Sequence, residues 1–264
     1  MKSIEPRTSV GARARLRGLA TAGALASLVA AHEVALAKAG SDSVNPDAVA
    51  ALKSMGTYLR SMKSFTVHAQ TSVEDVLDSG QKVEYSSEVQ LRARLPDHLR
   101  VDITSDARQR QVFYDGKTLT QYAPRLKYYA SVKVPGTARE VLDLAASEYD
   151  IDLPLADLFY WASNTPGFEN IRSAFYVGAN QIGGVRCDHY ALRQQGLDWQ
   201  IWIQQGAKPL PCKLVLTTTD DPAQPRYSAT LRWDTQAAIA DPVFSFVPPK
   251  GASRIAIVRL ASGQ

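Results

Sequence analysis

Apolar and polar residues alternate through Val83–Leu95. Val83, Tyr85, Val89, Leu91, Ala93 and Leu95 hold odd positions, while Lys82, Glu84, Glu88, Gln90, Arg92 and Arg94 hold even ones. A period of two puts each set on one face of a β-strand. The alternation lasts more than twice the usual strand length of about 5–6 residues. At roughly 3.3 Å per residue it spans about 40 Å, too long to stay flat in a small sandwich. The pattern predicts a broad, strongly curved antiparallel sheet with one apolar face.

The neighbouring pattern extends this sheet. Phe65–Leu77 carries Phe65, Val67, Ala69, Val73 and Leu77 at odd positions, and Ser79-Gly80 turns it into Val83–Leu95. Leu99, Val101 and Ile103 continue the alternation, and Asp115-Gly116 marks another hairpin. Seven strands are expected before Val134 without a helix between them, most simply an antiparallel meander. Ahead of them, Val49, Leu52, Met55, Leu59 and Met62 predict an amphipathic helix over Pro46–Lys63, with Asn45 as N-cap and Gly56 as a weak point.

Between the two blocks of strands the period changes. Thr137 with Glu140 three residues later reads as a capping box, and Val141, Leu142, Leu144 and Ala145 give that helix an apolar side. A second short helix is expected over Leu153–Ala162, with Leu155, Leu158, Phe159 and Ala162 on one stripe, ended by Pro166-Gly167. This insertion, 137–163, either lids the sheet or caps one end of it. Strands resume with Phe175-Tyr176-Val177, Val185–Gln194, Trp199–Ile203, Leu210–Thr219 and Tyr227–Trp233, and Phe244–Gly251 suits a sheet edge. Fold class is mainly β, of the α+β kind, in one domain.

Charge and composition change the picture at the N-terminus. Lys2, Arg7, Arg13, Arg15 and Arg17 precede an apolar run, Gly18–Ala31, and small-residue cleavage sites at Ala35-Leu36-Ala37 or Ala37-Lys38-Ala39. This is the layout of a secretory signal peptide, so residues 1–39 are expected to be removed and 40–264 to form the mature domain, with no transmembrane anchor. Removal up to Ala37 deletes those five basic residues and the acidic Glu5 and Glu33, taking the net charge from +4 to +1. A near-neutral exported chain gives no electrostatic case for nucleic acid. The expected compartment is the periplasm.

Candidate chemistry is sparse. Cys187 and Cys212 are a possible disulfide in an exported chain, although a simple meander puts a strand between them and separates them by about 9.5 Å, beyond the roughly 7 Å a bridge tolerates. Cys187-Asp188-His189 could contribute two ligands to a soft metal, but a lone C-x-H is a weak motif and no metal is expected. No nucleophile elbow, phosphate loop or zinc-protease helix occurs. Neither an enzyme nor a cofactor is indicated.

The order of parts has a likeness. With Val112-Phe113-Tyr114-Asp115-Gly116-Lys117-Thr118, the helical insertion and the ending Phe244-Ser245-Phe246-Val247-Pro248-Pro249, the chain resembles the fold of the lipoprotein carriers LolA and LolB and of the lipid-binding LppX. Cys187-Asp188-His189-Tyr190, Asp198-Trp199-Gln200-Ile201-Trp202-Ile203 and Pro209-Leu210-Pro211 are more specifically similar to a bacterial family of predicted periplasmic proteins of unknown function. That family pattern leads one to expect a basic residue at Cys212, which weighs against a family-wide disulfide. The resemblance implies an unclosed β-barrel with helices in its mouth, holding a lipid, acyl chain or other hydrophobic ligand. Tyr85, Val89, Leu91, Val101, Ile103, Trp199, Ile201, Leu231 and Trp233 would build the concave face, with Leu155 and Phe159 as lid contacts. The alternative is an envelope-sensing or protein-interaction module that moves no ligand, with an envelope protein as partner.

Overall fold

A computed structural model describes residues 43–106, 108–236 and 238–259. The expected signal segment, 1–39, lies outside them. Among the described residues twelve strands, numbered in chain order, form one sheet in the order β12-β6-β5-β4-β3-β2-β1-β11-β10-β9-β8-β7. The edges β12 and β7 do not pair with each other, so the barrel stays unclosed. Strand β1 (Ser64–Val76) sits in the middle. From it β2 (Lys82–Arg94), β3 (His98–Thr104), β4 (Gln109–Asp115), β5 (Thr118–Ala123) and β6 (Tyr128–Lys133) step outward as an antiparallel meander. Six strands, one fewer than expected, thus precede the helical insertion. The chain then jumps to the far edge and returns inward through β7 (Ser173–Ile182), β8 (Val185–Gln194), β9 (Leu197–Gln204), β10 (Pro211–Thr218) and β11 (Arg226–Asp234), which pairs with β1.

The alternation decides which face is covered. Val67, Val89, Leu91, Ala93, Leu99, Val101 and Val112 are buried on one side, together with Ile201, Leu214 and Leu231 from the returning strands. Helix α1 (Pro46–Ser61) lies on that face through Ala48, Leu52, Met55 and Leu59. Asn45 caps it as expected, its side-chain oxygen accepting from the Asp47 N–H at 2.7 Å. Gly56 has a packing reason. A Cβ there would meet the Trp161 carbonyl oxygen at 2.5 Å, so glycine lets α1 touch the short helix α3 (Asp157–Trp161) backbone to backbone.

Helix α2 (Ala138–Tyr149) begins with the expected capping box. The Thr137 N–H donates to Glu140 Oε2 at 2.7 Å, and the Glu140 N–H donates to Thr137 Oγ1 at 3.3 Å. Its entry is pinned to the sheet by Tyr114 Oη, which donates to the Gly136 carbonyl at 2.6 Å. The second helix of the insertion is shorter than the 3.6-residue stripe predicts. Pro154 and the left-handed Leu155 (φ 66°) keep 153–156 out of helix, and α3 starts only at Asp157.

The C-terminal segment also departs from expectation. Asp241–Phe246 crosses the outer, polar face of β2–β6 instead of forming an edge strand. Phe244 is fully buried against His98, and Phe246 packs among Phe113, Tyr122 and Tyr129 at 5.0–5.3 Å. Only Ser253 and Arg254, strand β12, then pair in parallel with β6. Beyond them Ile257 joins the main core and Arg259 reaches Glu148 and Tyr149 of α2. The tail thus wraps round the β6 edge from the outer face to the helical side.

Candidate functional site

The register draws one continuous row across the concave face. Leu192 faces Trp199, Trp199 faces Leu216, Leu216 faces Tyr227, Tyr227 faces Val73 and Val73 faces Tyr85. Residues opposite each other point to the same side, so six strands contribute one side chain each. Five steps of about 4.8 Å make a trough of roughly 24 Å. Its β8–β9 end is closed, with Leu192 and Trp199 each 4% exposed. Its β1–β2 end is open, with Val73 39% and Tyr85 48% exposed and Leu77 uncovered beyond them.

The insertion covers the closed part. Trp161 stacks on Trp199 at 6.1 Å between ring centres. Phe159 meets Phe65 at 6.3 Å, and Phe65 meets Trp233 at 5.3 Å. The connecting segment 150–156 bridges the two walls of the half-barrel. On the β4 side, Arg110 Nη2 donates to the Asp152 carbonyl at 2.9 Å, and burial lowers the pKa of that guanidinium despite the nearby Asp152 carboxylate. On the β11 side, Tyr227 Oη lies against the Leu155 backbone.

Polar atoms sit unpaired in this apolar setting. Trp199 Nε1 and Tyr227 Oη are both buried without an aligned hydrogen-bond partner, as is Gln121 Oε1 on β5. Burial pushes the Tyr227 phenol up, with the Asp157 carboxylate adding to the shift. Burial likewise raises the Asp157 carboxyl, whose opposing hydrogen bond is to its own backbone. Buried polar groups are normally paired, so the two that lie beside α3, Trp199 Nε1 and Tyr227 Oη, call for an explanation.

Most of the residues expected on the concave face are in one place. Val89, Leu91, Val101, Ile201, Leu231, Trp199, Leu155 and Phe159 share the main core, with Ile103 and Trp233 packed against it. Tyr85 stands apart: β2 runs past the helices there, and its side chain is exposed at the open end. The face is not an empty hollow, because α1, α2 and α3 fill it with their own side chains. Sequence reasoning missed Val73, Leu216, Tyr227 and Arg110 as wall residues. Their signal is register, which a strand's own period does not reveal.

The cysteines are bonded, with Cα atoms 6.9 Å apart. The meander estimate fails because β10 bulges between Pro211 and Lys213, so Cys212 escapes the regular ladder, while Cys187 faces Gln204 at the last residue of β9. The bridge lies with Trp202, Val215 and Ile182 in a small second cluster on the outer face. It takes Cys187 out of consideration as a metal ligand. His189 instead stacks on Trp202 at 3.9 Å and bonds Gln200, and burial lowers its pKa. The outer face also carries two adjoining polar grooves of about 560 and 820 Å³ that share Gln70, Glu88, Thr104 and Thr230.

The family described as predicted periplasmic protein (DUF2092) matches residues 48–258. The chain belongs to that family. Its members' compartment, the periplasm, is the one the N-terminal pattern leads one to expect. No curated protein matches the chain. Among solved structures it is similar to the lipoprotein LppX of Mycobacterium tuberculosis, at 12% identity over 74% of this chain and 98% of that one, with a TM-score of 0.47. LprF of Mycobacterium bovis shows 14% identity over 81% and 100%, with a TM-score of 0.44. A LolA superfamily protein of Nitrosomonas europaea shows 12% identity over 75% and 97%, with a TM-score of 0.39. Among the described residues of this DUF2092 member, no helix is long and apolar enough to cross a membrane.

Proposed function

We propose that this periplasmic protein binds and carries a lipid, acyl chain or other hydrophobic molecule on the concave face of its sheet. In this reading residues 1–39 direct export and are removed, leaving 40–264 as a single carrier domain. The observation that carries it is the row from Leu192 to Tyr85, which runs from open solvent at Val73 and Tyr85 to a buried end beneath α3. Val89, Leu91, Val101, Ile103, Ile201, Leu231 and Trp233 then line the floor deeper in. Segment 150–161 is the lid, with Leu155 and Phe159 on its underside and a strained left-handed Leu155 at its turn.

Magnitudes limit the guest. Lifting Leu155, Leu158, Phe159 and Trp161 out of the core exposes four large side chains, each costing about 1.5–3 kcal/mol, or roughly 6–12 kcal/mol together. A guest offsets that at about 0.8 kcal/mol per buried methylene. A chain of a dozen or more methylenes opens the lid; a short one does not. Delipidated protein titrated with fluorescent fatty acids of increasing length should take up long chains and leave short ones in solution. No uptake at any length would overturn the reading.

The filled interior favours a second reading, an envelope-sensing or protein-interaction module that keeps its helices in place. Crosslinking in the periplasm would then recover a protein partner, and the titration would stay flat.

A further inference from the structure

Beside α3, unlike the acceptor Gln121 Oε1 out on β5, two unpaired polar groups share one chemical character. An indole N–H such as Trp199 Nε1 only donates. Tyr227 Oη is buried with the Leu155 backbone N–H turned toward its oxygen, and its own O–H keeps its proton and has no acceptor. Asp157, half-buried at the start of α3, adds a carboxyl group rather than a cation to the same surroundings. Trp199 and Tyr227 belong to the same row with Leu216 between them, two strand steps of about 4.8 Å apart on the same face. The nearby cation, Arg110, sits on the opposite wall and already donates to the Asp152 carbonyl. The closed end of the trough therefore holds hydrogen-bond donors set in apolar surface, without a charge to balance an anion.

Such a lining suits an oil-soluble molecule that carries acceptors and no charge. A carboxylate would enter beside Asp157 without a counter-ion, at a heavy desolvation cost. A plain hydrocarbon would leave both donors as they are. An ester group brings a carbonyl oxygen, a good acceptor, at little cost in leaving water. We propose that the guest is a neutral ester-linked lipid whose carbonyl oxygens accept hydrogen bonds from Trp199 and Tyr227. This rests on the carrier reading and narrows it to a ligand class.

The test uses the mature protein loaded with N-phenyl-1-naphthylamine, an uncharged apolar fluorophore, and three competitors of equal chain length. Dipalmitoylglycerol carries two esters, dihexadecylglycerol carries ethers in their place, and palmitic acid carries a carboxylate. The diester should displace the fluorophore at a concentration at least tenfold below either other lipid. A net hydrogen bond of about 1 kcal/mol corresponds to roughly a fivefold change, so Tyr227→Phe and Trp199→Phe should each remove about that much of the ester preference. The ester preference is read as the ratio of diester to diether displacement in each variant. Apolar packing lost with the side chain then lowers both lipids and leaves the ratio to report the hydrogen bond. An unchanged ratio in both variants overturns the assignment. Equal displacement by diester and diether, or a preference for palmitic acid, overturns the ester assignment while leaving the carrier reading intact. A protein that binds neither fluorophore nor lipid overturns both.

Discussion

The two wings of the sheet leave β1 in opposite directions and are braced on the outer face by different devices. The wing β2–β6 is held by the chain's own tail. Arg94 pairs with Asp241 and holds that carboxyl below its usual range, Arg100 donates to the Val243 carbonyl, and Phe244 and Phe246 fill the aromatic surface beneath. The wing β8–β10 is held by the Cys187–Cys212 bridge and by Trp202 stacked on His189. One brace is non-covalent and reversible; the other forms only where thiols are oxidised, as they are in the periplasm. Both leave the concave side to the helices.

Cutting the first brace should have the largest effect. Phe244→Ala removes a fully buried ring and is expected to cost about 3–5 kcal/mol. Hydrogen exchange should rise in β3–β6 and stay low in β8–β10; a uniform rise would mean that the wings are not independent. Next comes the covalent brace. Replacing Cys187 and Cys212 together by alanine, 25 residues apart, should cost about 2–4 kcal/mol by urea unfolding, with the extra exchange now confined to β8–β10. Reductant should lower the midpoint of the native protein and leave that of the double variant alone.

The smallest effect separates the lid from both wings. The carboxyl of Asp157 titrates higher in the folded state than its ordinary value of 3.8, because burial penalises its charge. Between those two values the folded chain keeps a proton that the unfolded chain releases. Stability is therefore lost as pH rises through that window, and the loss persists at neutral pH. Asp157→Asn should stabilise the protein at pH 7 and lose its advantage below about 3.8, with exchange changing in α3 and in neither wing. A gain that grows toward acid would refute the assignment.

Much of this architecture is readable from the chain alone. Period-two alternation marks both long central strands, their apolar face and nearly all of the floor residues. Asn45, Thr137 and Glu140 mark helix starts, because capping is local chemistry. What escapes depends on neighbours distant in sequence. The row linking Trp199, Tyr227 and Val73 requires knowing that β11 returns to β1. The disulfide requires the bulge at Pro211, and the exposure of Tyr85 requires knowing where the helices stop. Gly56 reads as a weak point in a helix until Trp161 is seen lying on it.

The pairing of β11 with β1 has a bearing on how the molecule is made. Thr66 meets Asp234 across the middle of the sheet, so the central seam joins segments from nearly opposite ends of the domain. A chain that emerges N-terminus first presents β1 with one bare hydrogen-bonding edge until its last long strand arrives. Closing so distant a pair is slow, and an open edge invites foreign strands in the interval. The newborn protein is thus at its most vulnerable at the position that ends up best protected.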